Sequence, residues 1–181
     1  MRIISGKYKG RRISAPKKLP IRPTTDMAKE SLFNILNNLY YFDEISVLDL
    51  FAGSGSISYE FYSRGTEQIT AVDSNFDCVK FIHSTSEQLA MPIRTIKTDV
   101  YAFLKTNKSQ FTVIFADPPY GFEHEKFESI ANLVFKHKAL EEQGVLVIEH
   151  SKHTDLSEVK NFSYSKNYGG SVFSFFEMPK E

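Results

Sequence analysis

The chain has no tryptophan, one cysteine and no long apolar run. Its single cysteine, Cys78, excludes an internal disulfide framework and a metal site built from several cysteines. No apolar run approaches the ~20 residues of a membrane-spanning helix, and the first residues lack the apolar segment of a signal peptide. We therefore expect a cytoplasmic protein that does not enter a membrane. With nine glycines and seven prolines among 181 residues, the composition is that of a globular chain, and 16 phenylalanines and nine tyrosines supply its core.

Acidic residues are absent from the first 25 positions, where eight basic residues give the segment a charge of +8. The net charge of the chain is zero, so the remaining residues carry −8. A basic arm of this kind binds nucleic acid because it neutralises phosphates and releases counterions. The alternative is a solvated strand edge. We predict RNA contacts for seven of these side chains: Arg2, Lys7, Lys9, Arg11, Arg12, Lys17 and Lys18.

Strand and turn patterns within the basic arm predict a small β-hairpin. Its strands are residues 2–5 and 10–14, which flank Gly6 and Gly10. Three prolines then keep the chain extended: Pro16, Pro20 and Pro23. A helix follows, with capping side chains at Thr24, Thr25 and Asp26. Its apolar side chains have helical spacing and predict one buried face: Ala28, Leu32, Ile35, Leu36 and Leu39. The predicted domains are the arm, residues 1–22, and a second unit over residues 23–181.

From residue 45 onward, short apolar segments alternate with helical patterns. Five segments predict strands: Ile45–Ala52, Gln68–Asp73, Ile93–Thr98, Phe111–Ala116 and Gly144–Glu149. Helical spacing predicts helices near residues 56–64, 76–89, 99–106 and 124–138. This alternation is typical of an α/β fold with a mainly parallel sheet covered by helices. Phe162–Asn167 and Ser171–Glu177 predict a terminal antiparallel hairpin, and we expect the phenylalanines at 173, 175 and 176 to pack in the core.

The first of these strands runs into the turn Gly53-Ser54-Gly55, which predicts a cofactor site. Two glycines at a strand-to-helix turn let the backbone approach a ligand closely. Ser58 replaces the third glycine of the dinucleotide fingerprint, and no Gly-Lys-Ser or Gly-Lys-Thr follows, so a pyrophosphate ligand is disfavoured. S-adenosylmethionine (SAM) has no pyrophosphate and suits such a turn. Asp49 is expected to help position the amino-acid end of that cofactor.

Two further acids follow the next predicted strands. Asp73 closes the second strand, where a carboxylate can accept hydrogen bonds from both hydroxyls of a ribose. Asp99 follows the third strand, where it can accept from the amino group of adenine. Either acid could instead simply cap a helix. Together with the glycine turn, however, they fit one crevice at the point where the strand order reverses.

The strand Phe111–Ala116 ends in Asp117-Pro118-Pro119-Tyr120, which brings together a carboxylate, an ordered carbonyl and an aromatic face. An Asp-Pro turn can also be only a rigid loop. An exocyclic amine on a base is a poor nucleophile, because its lone pair is delocalised into the ring. Asp117 and the Pro118 carbonyl can each accept one of its N–H bonds and aim the lone pair at a methyl group. Tyr120 can stack on the base, a contact worth ~1–3 kcal/mol, once the base is unpaired or flipped.

Asp-Pro-Pro-Tyr after a strand resembles the signature of SAM-dependent methyltransferases that act on amines such as adenine N6 or guanine N2. The stretch Arg22-Pro-Thr-Thr-Asp26, followed by Lys29-Glu-Ser-Leu-Phe-Asn34, resembles the RsmD family. Residues 1–12, 48–55 and 63–65 resemble it too, and the similarity spans most of residues 1–150. The resemblance implies a Rossmann-like methyltransferase fold and methylation of guanine N2 in small-subunit rRNA, at guanine 966.

The resemblance also implies a role for each group of site residues. The cofactor loop would comprise Phe51, Ala52, Gly53, Ser54 and Gly55. Asp73 would hold the ribose and Asp99 the adenine, and Ser74 and Val100 belong to the same cofactor set. Arg22, Thr24 and Thr25 would lie near the methionine carboxylate or the incoming base. The catalytic site would be Asp117, Pro118, Pro119 and Tyr120, while the basic arm grips rRNA in the assembling or assembled small ribosomal subunit.

Some residues depart from the family pattern, and other functions stay open. Ser58 replaces a small glycine common in the family's first helix, and Phe61 is bulky for its position. The nearest rival is an adenine-N6 methyltransferase acting on DNA or RNA, and another is a non-catalytic RNA-binding or ribosome-assembly protein on this scaffold. We predict no metal site, since His150 and His153 have no clear third ligand and are expected in a loop or at the surface. We expect a monomer.

Overall fold

A computed structural model describes residues 1–22 and 24–180 of the chain. Its helices are α1 Asp26–Asn37, α2 Ser56–Ser63, α3 Phe76–Gln88, α4 Val100–Thr106 and α5 His124–Lys136. Its strands are β1 Ser46–Leu50, β2 Gln68–Asp73, β3 Ile93–Lys97, β4 Phe111–Ala116, β5 Leu140–Ser151, β6 Phe162–Tyr168 and β7 Ser171–Glu177. A single 3₁₀ turn, Phe42–Glu44, precedes β1. Pro23, one of the prolines expected to keep the chain extended, lies outside the described residues.

The strands form one sheet in the order β3-β2-β1-β4-β5-β7-β6. The five strands from β3 to β5 are parallel, whereas β7 pairs antiparallel with both β5 and β6. The predicted α/β architecture, with a mainly parallel sheet and a terminal antiparallel hairpin, is confirmed. The strand order reverses between β1 and β4, which opens a crevice at the carboxyl ends of these two strands.

Strand boundaries differ from the predictions where the backbone or the pairing changes. β1 ends at Leu50 rather than Ala52, because Phe51 adopts a positive φ of 57° and starts the turn. β5 begins at Leu140 rather than Gly144, because Leu140 pairs with Phe111 on β4. These differences leave the predicted order of elements unchanged.

The predicted N-terminal hairpin is reduced to one antiparallel bridge between Arg2 and Arg12. The reason is that the pairing stops after Ile3, whose N–H still donates to the Arg11 carbonyl at 2.9 Å, and the following N–H groups bind α2 instead. The N–H groups of Ile4 and Ser5 donate to the two carboxylate oxygens of Glu60, at 2.9 and 3.1 Å. The arm is thereby held against the body by backbone hydrogen bonds.

A buried ion pair joins α1 to α2 beneath this segment. Lys29 Nζ lies 3.6 Å from Glu60 Oε2, and both side chains are almost fully buried. Lys29 also donates to the carbonyl of Arg2 at 2.6 Å and to Ser56 Oγ at 3.2 Å, and Arg64 Nε donates to Glu60 Oε1 at 2.9 Å. Burial lowers the pKa of Lys29, and the charge of Glu60 opposes that shift. Removing one partner of such a pair typically costs ~3–5 kcal/mol.

Two apolar layers cover the sheet. The layer on the side of the N-terminal segment includes Ile3, Leu32, Phe61 and Phe115, and the other contains Ile114, Phe127 and Phe176. The predicted core phenylalanines of β7 are buried, and so is the side chain of Cys78. No helix in the described part of the chain is long and apolar enough to cross a membrane.

Two predictions about individual side chains are wrong. His150, expected at the surface or in a loop, is buried on β5, where its Nε2 lies 2.7 Å from Ser174 Oγ and its Nδ1 2.8 Å from the Ser151 carbonyl. Pairing with β7 covers this part of β5, which a single strand pattern does not reveal. Leu39, expected on the buried face of the first helix, lies beyond the end of α1 and is 47% exposed.

Replacing Gly6 by alanine should destabilise the protein more than the same change at Gly10. Both glycines have a positive φ, 86° and 82°, so an alanine costs roughly 1–2 kcal/mol at either position from backbone strain alone. A Cβ at Gly6 would also overlap the Ser63 carbonyl at the end of α2, whereas a Cβ at Gly10 would have no atom of the described residues within 4 Å. We expect a loss of about 3 kcal/mol or more for Gly6→Ala, measured by urea unfolding. Equal losses for the two variants would contradict this docking of the arm.

Candidate active site

A cavity of about 600 Å³ opens at the carboxyl ends of β1, β2 and β4. Most of the predicted site residues line it together: Arg22, Thr24, Asp49, Phe51, Ala52, Gly53, Ser54, Asp73, Ser74, Asp117, Pro118, Pro119 and Tyr120. Its wall also contains residues that the sequence did not single out for the site: Leu19, Pro20, Ile21, Ser56, Ile57, Asn75, Cys78 and Phe115. The cavity therefore joins the predicted cofactor turn to the predicted catalytic turn.

Four predicted cofactor residues lie outside the lining of this cavity. Thr25 caps α1, where its hydroxyl accepts from the N–H of Ala28 at 3.2 Å. Gly55 is the N-cap of α2. Asp99 is exposed and caps α4, where its carboxylate accepts from the N–H of Ala102 at 2.9 Å. Val100 is buried at the start of α4. Their contacts with a cofactor stay predictions.

The turn between β1 and α2 is held in place by Asp73. Gly53 has a φ of 57° and donates its N–H to Asp73 Oδ2 at 2.9 Å. The other oxygen, Oδ1, accepts from the N–H of Asn75 at 2.8 Å. A carboxylate has about four acceptor positions, so these two bonds leave capacity for the two hydroxyls of a ribose. The residue predicted to bind the cofactor thus also fixes the turn beside it.

Ser58, the departure from the family pattern, is the hydrogen-bond partner of Asp49. Its Oγ donates to Asp49 Oδ2 at 2.7 Å, and both residues are buried. Burial raises the pKa of Asp49 to about 7, although the hydrogen bond from Ser58 lowers it. The second departure, Phe61, packs with its ring edge-on to Phe33 at 4.6 Å and to Phe42 at 6.0 Å between ring centres. Ser58 therefore joins α2 to β1, and Phe61 packs α2 against α1 and the 3₁₀ turn.

Asp117 follows β4 directly and lies in a strongly acidic environment. Burial raises its pKa well above the ordinary value, and the nearby charges of Glu149 and Asp49 raise it further. The guanidinium of Arg22 acts in the opposite direction. Pro118 is buried behind it, whereas Pro119 and Tyr120 reach the surface.

Glu149 on β5 is a residue that sequence reasoning missed. It is 3% exposed, and its Oε2 has no hydrogen-bond partner within residues 1–22 and 24–180. Burial raises its pKa, while hydrogen bonding to Ser171 and the charge of Arg22 lower it. The sequence could have indicated Glu149 as a site residue, because it directly follows the apolar run Val145–Ile148, just as Asp117 directly follows its own strand.

Arg22 covers one face of the Tyr120 ring. The guanidinium carbon of Arg22 lies 3.3 Å from the ring centre, a cation–π arrangement. The Tyr120 hydroxyl lies 3.1 Å from Ser171 Oγ on β7. A base that stacks on this ring therefore uses the other face or takes the place of Arg22.

The seven basic residues predicted to contact RNA are all exposed. Arg2 pairs with Asp26 at 2.9 Å, and Lys18 lies 3.9 Å from Asp77. Lys17 and Lys18 directly precede the segment from Leu19 to Thr24, parts of which form the cavity wall. No cluster of three histidine, cysteine or acidic side chains able to hold a metal ion occurs in the described ranges.

Proteins with related sequences carry methyltransferase names. "Putative rRNA methyltransferase YlbH" of Bacillus subtilis is 37% identical over 163 residues, which span 87% of this chain and 86% of that protein. "Ribosomal RNA small subunit methyltransferase D" of Haemophilus influenzae is 28% identical over 180 residues, 97% of this chain and 91% of that protein.

Solved structures share the fold. The Escherichia coli structure described as "Putative methyltransferase yhhF" superposes with a TM-score of 0.84 at 26% identity, over 97% of this chain and 96% of that one. The Thermus thermophilus 16S rRNA N2 methyltransferase RsmC, solved in complex with AdoMet and guanosine, has a TM-score of 0.72 at 18% identity. That superposition covers 89% of this chain and 45% of the other.

The fold and the site therefore define the class, that of the Rossmann-like methyltransferases. The profile of the family described as "Conserved hypothetical protein 95" spans residues 1–177, and the chain belongs to this family. The predicted relationship to the RsmD family is confirmed.

Asp49→Asn should stabilise the protein relative to the wild type as the pH rises. In the folded protein Asp49 keeps its proton up to about pH 7, whereas in the unfolded chain it ionises near pH ~3.9. The folded state thus binds more protons between these values, so the wild type loses free energy of unfolding as the pH rises through this window. The free energy of unfolding of Asp49→Asn should therefore exceed that of the wild type by an amount that grows with pH, to at most about 4 kcal/mol near pH 7.

Urea unfolding at a series of pH values, without ligand, measures this difference. Glu30→Gln, on the exposed side of α1, controls for the loss of one carboxylate. A difference between Asp49→Asn and wild type that is constant with pH would show that Asp49 is ionised in the folded protein.

Proposed function

We propose that this protein transfers a methyl group from SAM to the N2 amine of a guanine in small-subunit rRNA. The observation that carries the proposal is that one cavity contains both the glycine turn and the Asp117–Tyr120 turn. Methyl transfer to an amine requires a donor site and a site that orients the amine within contact distance. The names of the related proteins support rRNA as the substrate class.

The cavity offers SAM exposed main chain and several acceptor groups. Gly53 lines the cavity with a positive φ, so the turn presents main chain rather than side chain there. Phe51 to Ser54 and Asp73 are the residues that would hold the cofactor, with Asp73 accepting from the ribose through its remaining lone pairs. When bound, SAM supplies an electrophilic methyl group on a sulfonium.

Asp117 and the Pro118 carbonyl would orient the amine. Each accepts one N–H bond of the amine, which directs the nitrogen lone pair away from the ring plane and towards the methyl donor. Proline fixes its own φ and limits the movement of its carbonyl, and positioning of this kind is a major source of rate enhancement. The methylated nitrogen then loses a proton, and the raised pKa of Asp117 makes it a suitable acceptor.

The exposed basic residues of the arm would hold the rRNA backbone near the cavity. Lys17 and Lys18 directly precede the segment that forms part of the cavity wall, so RNA bound to these two residues would pass close to the cavity. A target base then enters unpaired and stacks on the tyrosine ring. Phosphate contacts position the RNA without selecting its sequence.

The test uses small ribosomal subunits lacking the modification, and naked 16S rRNA, each with labelled SAM. Mass spectrometry of the nucleosides should show N2-methylguanosine. Asp117→Ala should lose most of this turnover, about 100-fold or more, while SAM affinity measured by calorimetry changes little.

Other outcomes of this test would support a different function or a different role for Asp117. N6-methyladenosine would favour the adenine methyltransferase instead. SAM binding without any methylation of either RNA would favour a non-catalytic RNA-binding role. A loss of SAM affinity in Asp117→Ala with turnover retained would overturn the role given to Asp117.

Replacing Arg11 and Arg12 by glutamine should weaken rRNA binding and reduce its salt dependence. Each lost phosphate contact lowers the slope of log K against log salt by ~0.7–0.9, so the double variant should lower it by about 1–2. Filter binding at several salt concentrations measures the slope. The matched control is Lys105→Gln with Lys108→Gln. Lys105 lies in the last turn of α4 and Lys108 just beyond it, both are exposed, and α4 packs on the opposite face of the sheet from the arm. Equal slopes in the two double variants would place the RNA surface elsewhere.

A further inference from the structure

Glu149 is a buried acid next to the candidate active site, and its Oε2 has no hydrogen-bond partner in the part of the chain that the structure describes. A buried polar atom without a hydrogen bond typically costs ~1–3 kcal/mol. An unpaired buried atom of this kind is therefore a candidate for binding a ligand or for another functional role. The residues around Glu149 favour the binding of a ligand.

The register of the sheet places Glu149 beside Asp117. Ala116 on β4 pairs with Ile148 on β5 in parallel register. The residues that follow them, Asp117 and Glu149, are therefore neighbours. Adjacent strands lie ~4.8 Å apart. Since alternate residues point to the same face, Asp117 and Glu149 share the face of Phe115, which lines the cavity. Two carboxyl groups thus stand side by side at the end of the sheet.

The other residues near Glu149 line the cavity or contact its lining, close to where a base would bind. Arg22 and Thr24 line the cavity, and Ser171 lies 3.1 Å from the Tyr120 hydroxyl. Burial raises the pKa of Glu149, and Ser171, Arg22 and Thr24 act against that shift. Because its Oε2 has no hydrogen-bond partner among the described residues, Glu149 offers a hydrogen-bond acceptor next to the catalytic turn.

The Watson–Crick edge of guanine offers three adjacent donor hydrogens, two on N2 and one on N1. Asp117 and the Pro118 carbonyl account for the two on N2. We propose that Glu149 accepts the N1–H of the target guanine through Oε2 and thereby selects guanine as the methylated base, an inference that rests on the proposed function. The base reaches Glu149 by taking the place of Arg22 on the Tyr120 ring.

The same arrangement rejects adenine. Adenine carries a lone pair on N1 instead of a hydrogen, so it would leave the acceptor oxygen of Glu149 unpaired and facing another acceptor. Sites that hydrogen-bond a substrate donor discriminate strongly against analogues that lack it, because a buried polar group of the site is left unpaired. Glu149 would thus be a specificity residue, and Asp117 would remain the residue that orients the amine.

The test compares guanine with 2-aminopurine, which keeps the 2-amino group but has a lone pair on N1. The rRNA segment around the mapped methylation site is made with either base at the target and is used as naked RNA or in reconstituted subunits. Both kcat/KM and the equilibrium affinity for each RNA are measured for the wild type, Glu149→Gln and Glu142→Gln. Glu142 is an exposed acid on the same strand and serves as the matched control.

Wild type and Glu142→Gln should prefer guanine to the same extent. Glu149→Gln should lose at least about tenfold of this preference in kcat/KM and in affinity, since its amide can donate to N1 of 2-aminopurine. SAM affinity and the unfolding midpoint should stay near wild type, which separates selectivity from stability. Should Glu149→Gln fail to fold, Glu149→Asp keeps the charge, withdraws the oxygens by one methylene and should also reduce the preference.

An unchanged preference in both Glu149 variants would overturn the inference. Failure of the proposed function is visible separately, because it appears in the wild type as the absence of N2-methylguanosine. In that case guanosine and 2-aminopurine riboside replace the two RNAs, and the ratio of their affinities for wild type and Glu149→Gln decides whether Glu149 distinguishes the bases.

Discussion

The buried ion pair of Lys29 and Glu60 connects the three segments on which the cavity depends. Lys29 belongs to α1 and Glu60 to α2, and Glu60 also accepts the backbone N–H groups of Ile4 and Ser5. In a low-dielectric interior each of these charges needs its partners, because leaving one unpaired is far more costly than pairing it. The N-terminal segment is therefore fixed against the sheet. The chain then continues along the cavity, where Leu19 to Arg22 form one wall.

The polar groups of the cavity are concentrated on one face and at one end of the sheet. Asp49, Asp117 and Glu149 come from three neighbouring strands, and burial raises the pKa of each. Arg22 is the cation that opposes this effect at two of them. Parallel strands make such a cluster possible because their carboxyl ends meet at the same edge. The proposed chemistry uses this excess of acceptors, since an amine that is to be methylated presents N–H donors.

Much of the fold follows from local patterns. Strands β2 and β4 have the predicted bounds, and the other strands of the parallel part differ at their ends. The cofactor turn was predictable because positive φ, as at Gly53 and Gly55, favours glycine, and glycines are visible in the sequence. The catalytic turn was predictable because Asp117 follows an apolar strand and two prolines follow Asp117. His150 was predicted wrongly because its burial comes from β7, which is distant in the chain.

The sequence by itself determined the order of strands and helices, the glycine turn, the catalytic turn and the charge of the arm. Each of these depends on neighbours along the chain, where propensity and spacing act directly. Only the tertiary structure decided that the arm binds Glu60, that Ser58 donates to Asp49 and that Arg22 stacks on Tyr120. It alone placed Glu149 beside Asp117. These contacts join residues that are separated in sequence, and their partners are fixed by packing and strand register, which no local pattern encodes.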